Sequence, residues 1–191
     1  MRKKSHISLA KYMVDNLNDE GLRRHKLSFY VGSILPDIKP SFVYKRHEIE
    51  GTFPLVKKHI KRLSEGPKAI EKKGRKYYMD LGQVSHYLAD YFTFPHNHSY
   101  SGSLADHCSY EKKLKNDLKS YIKSDPFPDF RKSEYFHSAE ALCSFIQKAH
   151  DEYIPHRHDV EDDIRHIIDV NCRALAGMIT LLARRSAEHS A

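Results

Sequence analysis

Residues 84–111 read VSHYLADYFTFPHNHSYSGSLADHCSYE, and in this stretch histidines and carboxylates recur at helical spacing. Residues four apart lie on one face of a helix, with Cβ atoms about 5–6 Å apart, so His86 and Asp90 can share one metal ion. The same spacing joins His107 to Glu111. The stretch therefore predicts two helices that each present a pair of metal ligands.

The break between these two helices supplies a further ligand. Pro95 ends the first helix because its ring is incompatible with helical hydrogen bonding. His96 follows in the loop, where it can turn toward the second helix and complete a second set of three ligands. His98 is an alternative, although the step of ten residues from the first histidine of the stretch favours His96. Cys108 points about 100° away from its histidine neighbour on the helix and is expected to be a buried small residue.

Two more candidate ligands precede this stretch. Asp37 follows Pro36 at the predicted end of a helix, and His47 lies in the loop beyond it. All these groups offer nitrogen or oxygen without thiolate, which suits zinc in open catalytic sites better than closed cysteine sites. Two or more zinc ions close together suit phosphoester hydrolysis, because they generate hydroxide and stabilise both the attacking and the leaving oxygen.

The rest of the chain also has helical periodicity. Apolar residues recur at helical spacing, strand patterns are nearly absent, and neither a repeat nor a linker divides residues 1–191. The sequence thus predicts one all-α domain, a multi-helix bundle. Ser5 is expected to be the N-cap of the first helix, and residues 41–52 are expected to form a loop. The predicted helices cover about 7–17, 22–35, 53–64, 75–93, 103–123, 138–153 and 159–186.

Length and cysteine content bound the class of protein. A chain of 191 residues can bury a sufficient core without disulfides, and three widely separated cysteines indicate a reducing compartment. The basic N-terminus lacks the apolar run of a signal peptide, and no span of about 18 apolar residues is evident. We therefore expect a soluble cytoplasmic protein without a transmembrane segment.

The formal charge of +7 favours anionic partners. Clusters of lysine and arginine lie at residues 23–26, 57–62 and 72–76. They suit phosphates on nucleic acid, nucleotides or an anionic membrane that the protein contacts peripherally. Alternatively, each cluster is the solvated face of an amphipathic helix.

The ordered set of ligands resembles the zinc-dependent phospholipase C family, which shares its all-α fold with the single-strand-specific zinc nucleases. The resemblance covers residues 6–111 and includes Leu81-Gly82-x-x-x-His86-Tyr87 and Pro95-His96. It implies a first zinc ion held by Asp37, His47, His86 and Asp90, and a second held by His96, His107 and Glu111. A third ion would lie against Asp90, with His6 and the amino terminus of the chain.

In that family the terminal ligand is a tryptophan exposed by signal-peptide cleavage, whereas residue 1 here is Met1. The five residues before His6 can extend roughly 17 Å, enough to fold the terminus back beside it. Met1 could then donate its α-amine and carbonyl to the third zinc. The alternative is a frayed basic tail, with His6 as a surface or capping residue.

The resemblance implies hydrolysis of a phosphodiester by zinc-bound hydroxide, with Asp37 as a ligand and proton acceptor. A glycerophospholipid would give diacylglycerol and a phosphorylated headgroup. Two alternatives stay open: a nuclease or nucleotide phosphodiesterase on the same zinc site, and a non-catalytic helical binding protein stabilised by zinc. The doublets His150-Asp151 and His158-Asp159 also mimic those of the all-α HD phosphohydrolases, a less well matched fold.

Overall fold

A computed structural model describes residues 1–38, 48–66, 73–124, 136–155 and 159–188. Within these ranges the regular elements are helical and strands are absent, which confirms the all-α prediction. A 3₁₀ turn at Phe94–His96 joins two of the helices. The eight α-helices of the described ranges are α1 (Lys3–Asn16), α2 (Glu20–Arg24), α3 (Lys26–Ile34), α4 (Ile49–Glu65), α5 (Arg75–Tyr91), α6 (Leu104–Ser124), α7 (Ala139–Tyr153) and α8 (Val160–Glu188).

Helix α5 is the central element of the bundle. Most of its residues are buried on all sides, because α1, α3, α4 and α8 pack around it. A helix in this position is expected to be apolar all round. It nevertheless carries several buried polar residues, and the most deeply buried, His86 and Asp90 near its C-terminal end, have relative exposures of 0%. Polar groups this deeply buried are costly unless they are hydrogen-bonded, paired or bound to a metal ion, so their position indicates a functional site.

Helices α3 and α5 approach each other backbone to backbone through two glycines. A Cβ atom on Gly82 would overlap the carbonyl oxygen of Phe29 and lie 2.8 Å from the amide nitrogen of Ser33. A Cβ atom on Gly32 would likewise overlap the carbonyl oxygen of Met79. The absence of side chains at these positions lets α3 pack directly against the helix that carries His86.

Helix α8 is long and apolar. One 18-residue window has a mean hydropathy of 1.3, so length and composition alone would allow it to cross a membrane. Core helices of soluble proteins meet the same two criteria, so the expectation of a chain without a transmembrane segment stays a prediction. The same window is 56% buried inside the bundle, against α4, α5, α6 and α7. This is how the core helix of a globular fold is packed, and the apolar composition is weak evidence for insertion.

Several predicted boundaries differ from those observed. The expected 22–35 helix is divided at His25 into α2 and α3, and α3 ends before Pro36 as predicted. Arg2, not Ser5, is the N-cap of α1, and Ser5 is buried inside the first turn. Residues 49–52 of the expected loop belong to α4, while 41–47 lie outside the described residues. Cys108 is exposed rather than buried, because α6 contacts the bundle along only one narrow face.

Candidate metal centre

His86 is held by α5 with its ring directed into the centre. Its Nδ1 atom lies 2.8 Å from the carbonyl oxygen of Ser33 on α3. A carbonyl oxygen can only accept, so Nδ1 carries a proton and donates it, and Nε2 is the ring nitrogen that faces the centre. That Nε2 atom lies 3.2 Å from Oδ2 of Asp90, one helical turn away. The hydrogen bond from Nδ1 to the carbonyl oxygen of Ser33 fixes the tautomer and the ring orientation that a metal-binding imidazole needs.

His6 of α1 completes a first group of ligands with His86 and Asp90. The two imidazole rings stack with centroids 4.0 Å apart, and Nε2 of His6 lies 3.4 Å from Oδ1 of Asp90. That Nε2 atom is buried and has no hydrogen-bond partner among the described atoms. Burial and the neighbouring His86 lower the pKa of His6 to about 3, so its ring is neutral. The ligand atoms of the three residues lie within 4.8 Å of one another.

Asp37 reaches the same group from the segment after α3. Its Oδ1 atom lies 3.5 Å from Nε2 of His86, and its side chain is 9% exposed. The carboxylate therefore adjoins the first group and lines the cleft beside it. His47, the remaining ligand expected for the first zinc ion, lies outside the described residues.

A second group combines the 3₁₀ turn with α6. Nε2 of His96 lies 3.2 Å from Oε1 of Glu111, and Nε2 of His107 lies 3.5 Å from the same oxygen. Ligand atoms of these three residues also lie within 4.8 Å of one another. The other ring nitrogen of His96 lies 3.6 Å from Oδ1 of Asp90, so the two groups are adjacent. His98, the alternative, is exposed at the edge of the cleft and outside both groups.

The amino group of Met1 lies between the two groups. It is 2.6 Å from Oδ1 of Asp90, 2.9 Å from Nε2 of His96 and 3.3 Å from Oε1 of Glu111. The Met1 side chain is packed in the hydrophobic core, and the residues after it form the first turn of α1. The terminus is therefore an ordered part of the site, as the fold-back expectation predicts, and the frayed-tail alternative is wrong.

The proximity of unlike charges dominates the electrostatics of the centre. Burial alone would lower the pKa of the Met1 amine, but Asp90 and Glu111 outweigh burial and raise it. Burial would likewise raise the pKa of both carboxylates. The amine and the surrounding histidines instead hold the pKa of Asp90 well below its usual range and lower that of Glu111 to about 2. Both carboxylates are thus ionised and available as metal ligands near neutral pH.

The second group, Met1 and Asp37 line a cleft of about 910 Å³, whereas His6, His86 and Asp90 are buried and do not line it. Four basic residues line its walls, namely Arg2, Lys3, Lys4 and Lys115. Tyr100 and Leu104 also line it, and Leu104 is 79% exposed. The arrangement combines an open metal site with walls suited to an anionic and partly apolar substrate.

Several residues that support this centre have no recognisable pattern in the sequence. Ser33 contributes only its backbone carbonyl, and Glu48 lines the cleft from the start of α4. Asn97 and Asp163 are buried polar residues behind the second group. Asp163 lies in an acid-rich first turn, a composition that the helix dipole alone explains, so the pattern could not single it out. His150 of the HD-like doublet is buried against Asn97, outside both ligand groups.

Comparison with known proteins agrees with this geometry. The family model for zinc dependent phospholipase C matches residues 5–160. The chain belongs to the zinc-dependent phospholipase C family. The match extends past the 6–111 range of the motif through α7 to the start of α8, and it confirms the family-level prediction of fold and class. No curated protein and no solved structure matches the chain. Membership of this family implies a zinc-dependent hydrolase. The two His/Asp/Glu groups described above are its candidate metal centre.

Proposed function

We propose that the protein is a zinc-dependent phosphodiesterase that hydrolyses a glycerophospholipid to diacylglycerol and a phosphorylated headgroup. The observation that carries the proposal is the position of the second ligand group in the wall of an open cleft, adjacent to the buried first group. A purely structural zinc site is closed by four protein ligands, whereas a catalytic site keeps room for water and substrate. The partial exposure of the second group, 15% for Glu111 and 29% for His107, favours the catalytic alternative.

The donor atoms fit zinc. Imidazole nitrogens and carboxylate oxygens are its usual ligands in catalytic sites, and His6 presents a buried nitrogen without a hydrogen-bond partner that a metal ion would satisfy. Zinc bound there would lower the pKa of a coordinated water and polarise phosphoryl oxygens. Asp37, His86 and Asp90 would hold one ion, and His96, His107 and Glu111 a second. The Met1 amine and His6 would complete a third site against Asp90.

Asp37 is the residue that we propose to accept a proton from the attacking water. It adjoins the first group and lines the cleft, where its carboxylate can bind metal with one oxygen and face substrate with the other. The more deeply buried Asp90 is surrounded by the Met1 amine and histidines, so it is less accessible to water. The basic walls would bind the non-reacting phosphate oxygens and align the diester.

The choice of a lipid follows from the family and from the mouth of the cleft. An exposed leucine beside lysines suits the boundary between headgroups and acyl chains, where apolar and cationic groups both find partners. We therefore propose peripheral contact with an anionic membrane. The same basic walls with Tyr100 also favour a nucleotide or single-stranded nucleic acid, because a base can stack on the ring. This is the second candidate function.

The test compares three substrates on one preparation: phosphatidylcholine/phosphatidylglycerol vesicles, bis(p-nitrophenyl) phosphate and a single-stranded oligonucleotide. We expect release of a water-soluble phosphorylated headgroup, loss of activity on chelation and recovery with zinc. Asp37→Asn should lower the rate by about 10²–10⁴-fold, the usual contribution of a general base. Asp117→Asn on the outer part of α6, paired with Lys113, is the matched control.

The three substrates separate the competing functions. Cleavage of the oligonucleotide in preference to vesicles would replace the lipid by nucleic acid as the substrate. Zinc binding without cleavage of any of the three would support the non-catalytic helical binding protein and overturn the proposal.

A further inference from the structure

Asp163 is a fully buried carboxylate that lies behind the second ligand group. It belongs to the first turn of α8 and is 0% exposed. Its Oδ2 atom accepts a hydrogen bond from the backbone N–H of Phe94 at 2.8 Å and another from the hydroxyl of Tyr110 at 2.8 Å. Its Oδ1 atom accepts from the hydroxyl of Tyr153 at 2.7 Å. One side chain thus joins α8 to the 3₁₀ turn, to α6 and to α7.

A buried carboxylate is costly to maintain, so its retention calls for a physical reason. Removing such a charge from water is unfavourable unless several donors replace the lost hydration. Burial and the neighbouring Asp163 raise the pKa of both Tyr110 and Tyr153, so both hydroxyls keep the protons that they donate. An apolar residue at position 163 would fill the core at lower cost, but it could not join these segments.

Two of the three donors lie next to the ligands of the second group. Phe94 begins the 3₁₀ turn that carries His96, two residues later. Tyr110 immediately precedes Glu111, so the direction of its hydroxyl fixes the rotation of α6 about its own axis. Both bonds end on the same oxygen of Asp163, which sets the separation between the turn and the helix.

The turn is fixed on its other side by Asn97. Its amide nitrogen donates to the carbonyl oxygens of Tyr91 and Thr93, both at 3.1 Å. An amide oxygen can only accept, so Nε2 of His150 donates to the Oδ1 atom of Asn97 at 2.9 Å. His96 therefore lies between two anchored positions, and Asp163 provides the one that also reaches α6.

We infer that Asp163 is a positioning residue that assembles the second group of ligands, His96, His107 and Glu111. It acts through the N–H of Phe94 and the hydroxyl of Tyr110, each of which belongs to a segment that carries ligands. The first group is oriented independently, because His86 is held by Ser33 on α3. The family match ends at residue 160, before Asp163. The inference rests on the proposed zinc function of the two groups.

The test measures zinc affinity by competition with a chromophoric chelator, on full-length apo protein reloaded with zinc. Asp163→Asn keeps the shape but removes the charge, and we expect it to weaken one zinc ion by about 10–100-fold, the usual effect of losing support behind a ligand. Tyr110→Phe should act in the same direction. Tyr153→Phe is the matched control: it removes a hydrogen bond to the other oxygen of Asp163, in a helix without ligands, and should leave every zinc affinity unchanged.

Two backgrounds identify the group that is affected. In His107→Ala, where the second group is already broken, adding Asp163→Asn should leave the remaining zinc unchanged. In His86→Ala the same addition should weaken the remaining zinc. The reverse pattern, or equal weakening of every ion, would overturn the inference. If Asp163→Asn does not fold, wild-type affinities in Tyr110→Phe overturn it. A wild-type chain that binds no zinc contradicts the proposed function, whereas wild-type zinc binding with unchanged affinities in both variants contradicts this inference alone.

Discussion

At the residue scale, Asp90 is the residue around which the other site residues are arranged. Its two oxygens contact the Met1 amine, His6 and His86, and His96 lies at 3.6 Å. It is buried with 0% exposure, yet ionised, because cationic and imidazole groups surround it. A carboxylate with this many neighbours can bridge two metal ions, which is the part that the resemblance to the family implies for it.

We therefore predict that Asp90→Asn lowers the zinc content by at least one equivalent, because an amide is a much weaker zinc ligand than a carboxylate. His86→Ala and His107→Ala should each lower it as well, and elemental analysis of desalted protein measures the change. Asp80→Asn is the matched control on the same helix. Asp80 is also buried, but Arg62 at 2.9 Å and Lys76 pair with it away from the centre. Full zinc content in all three site variants would refute the assignment of the ligands.

The second prediction at this scale concerns the Met1 amine. Protein that begins at Met1 should bind one more zinc ion and hydrolyse phosphodiester faster than protein with an uncleaved N-terminal tag. The amine lies close to Asp90, His96 and Glu111, and a preceding residue would turn it into an uncharged peptide nitrogen, which cannot coordinate as an amine does. The same tag at the C-terminus, with Met1 free, is the control. Equal zinc content and equal rates in the two forms would show that the terminus is not a ligand.

At the element scale, the close contact between α3 and α5 determines where His86 lies. The contact depends on Gly82, and the hydrogen bond from His86 to Ser33 crosses it. Because the atoms facing Gly82 are backbone atoms of α3, an added methyl group cannot be accommodated by a rotamer change. The two helices would have to move apart, and His86 would move with α5.

Gly82→Ala is therefore predicted to lower stability by roughly 1–3 kcal/mol, the usual cost of overpacking, and to weaken zinc binding. Gly51→Ala in α4 is the matched control, because a Cβ atom there meets nothing within 4 Å. Replacing an exposed glycine in a helix with alanine generally stabilises the protein by about 0.5–1 kcal/mol. Chemical denaturation and zinc titration of both variants measure the effects. Wild-type stability and affinity in Gly82→Ala would show that the contact does not position the site.

The helices differ in how far their positions can be predicted from the sequence. The long helices were predictable because their apolar periodicity is strong, and ligands four apart on a helix carry their own geometry. The start of α4 was not, because residues 41–52 were assigned to a loop, whereas Thr52 bonds back to Glu48 and extends the helix upstream of residue 53. Asp163 was also missed, since its role depends on three partners distant in sequence.

At the scale of the whole molecule, the candidate ligands come from separate segments. Met1 and His6 belong to the N-terminal region, Asp37 follows α3, and the remaining ligands come from α5, the 3₁₀ turn and α6. Helices α4, α7 and α8 contribute no candidate ligand among the described residues, but they pack against those that do. Zinc would therefore link segments that meet only in the folded state, so its binding energy contributes to folding.

The last prediction follows from this linkage. Ligand that binds only the folded state stabilises it by about 4.1 kcal/mol when its free concentration is 1,000 times the dissociation constant. In a chain of this size about 1 kcal/mol moves the melting temperature by roughly 2–4 °C, so removal of zinc should lower it by on the order of 10 °C. Readdition of zinc should restore it, which separates metal loss from damage by the chelator. Removal of zinc should lower the melting temperature of Asp90→Asn by less than that of the wild type. It should lower that of Gly51→Ala by the same amount as that of the wild type. An unchanged melting curve after verified zinc removal would contradict a site built from several segments, because a metal ion held within one helix does not link distant parts of the chain.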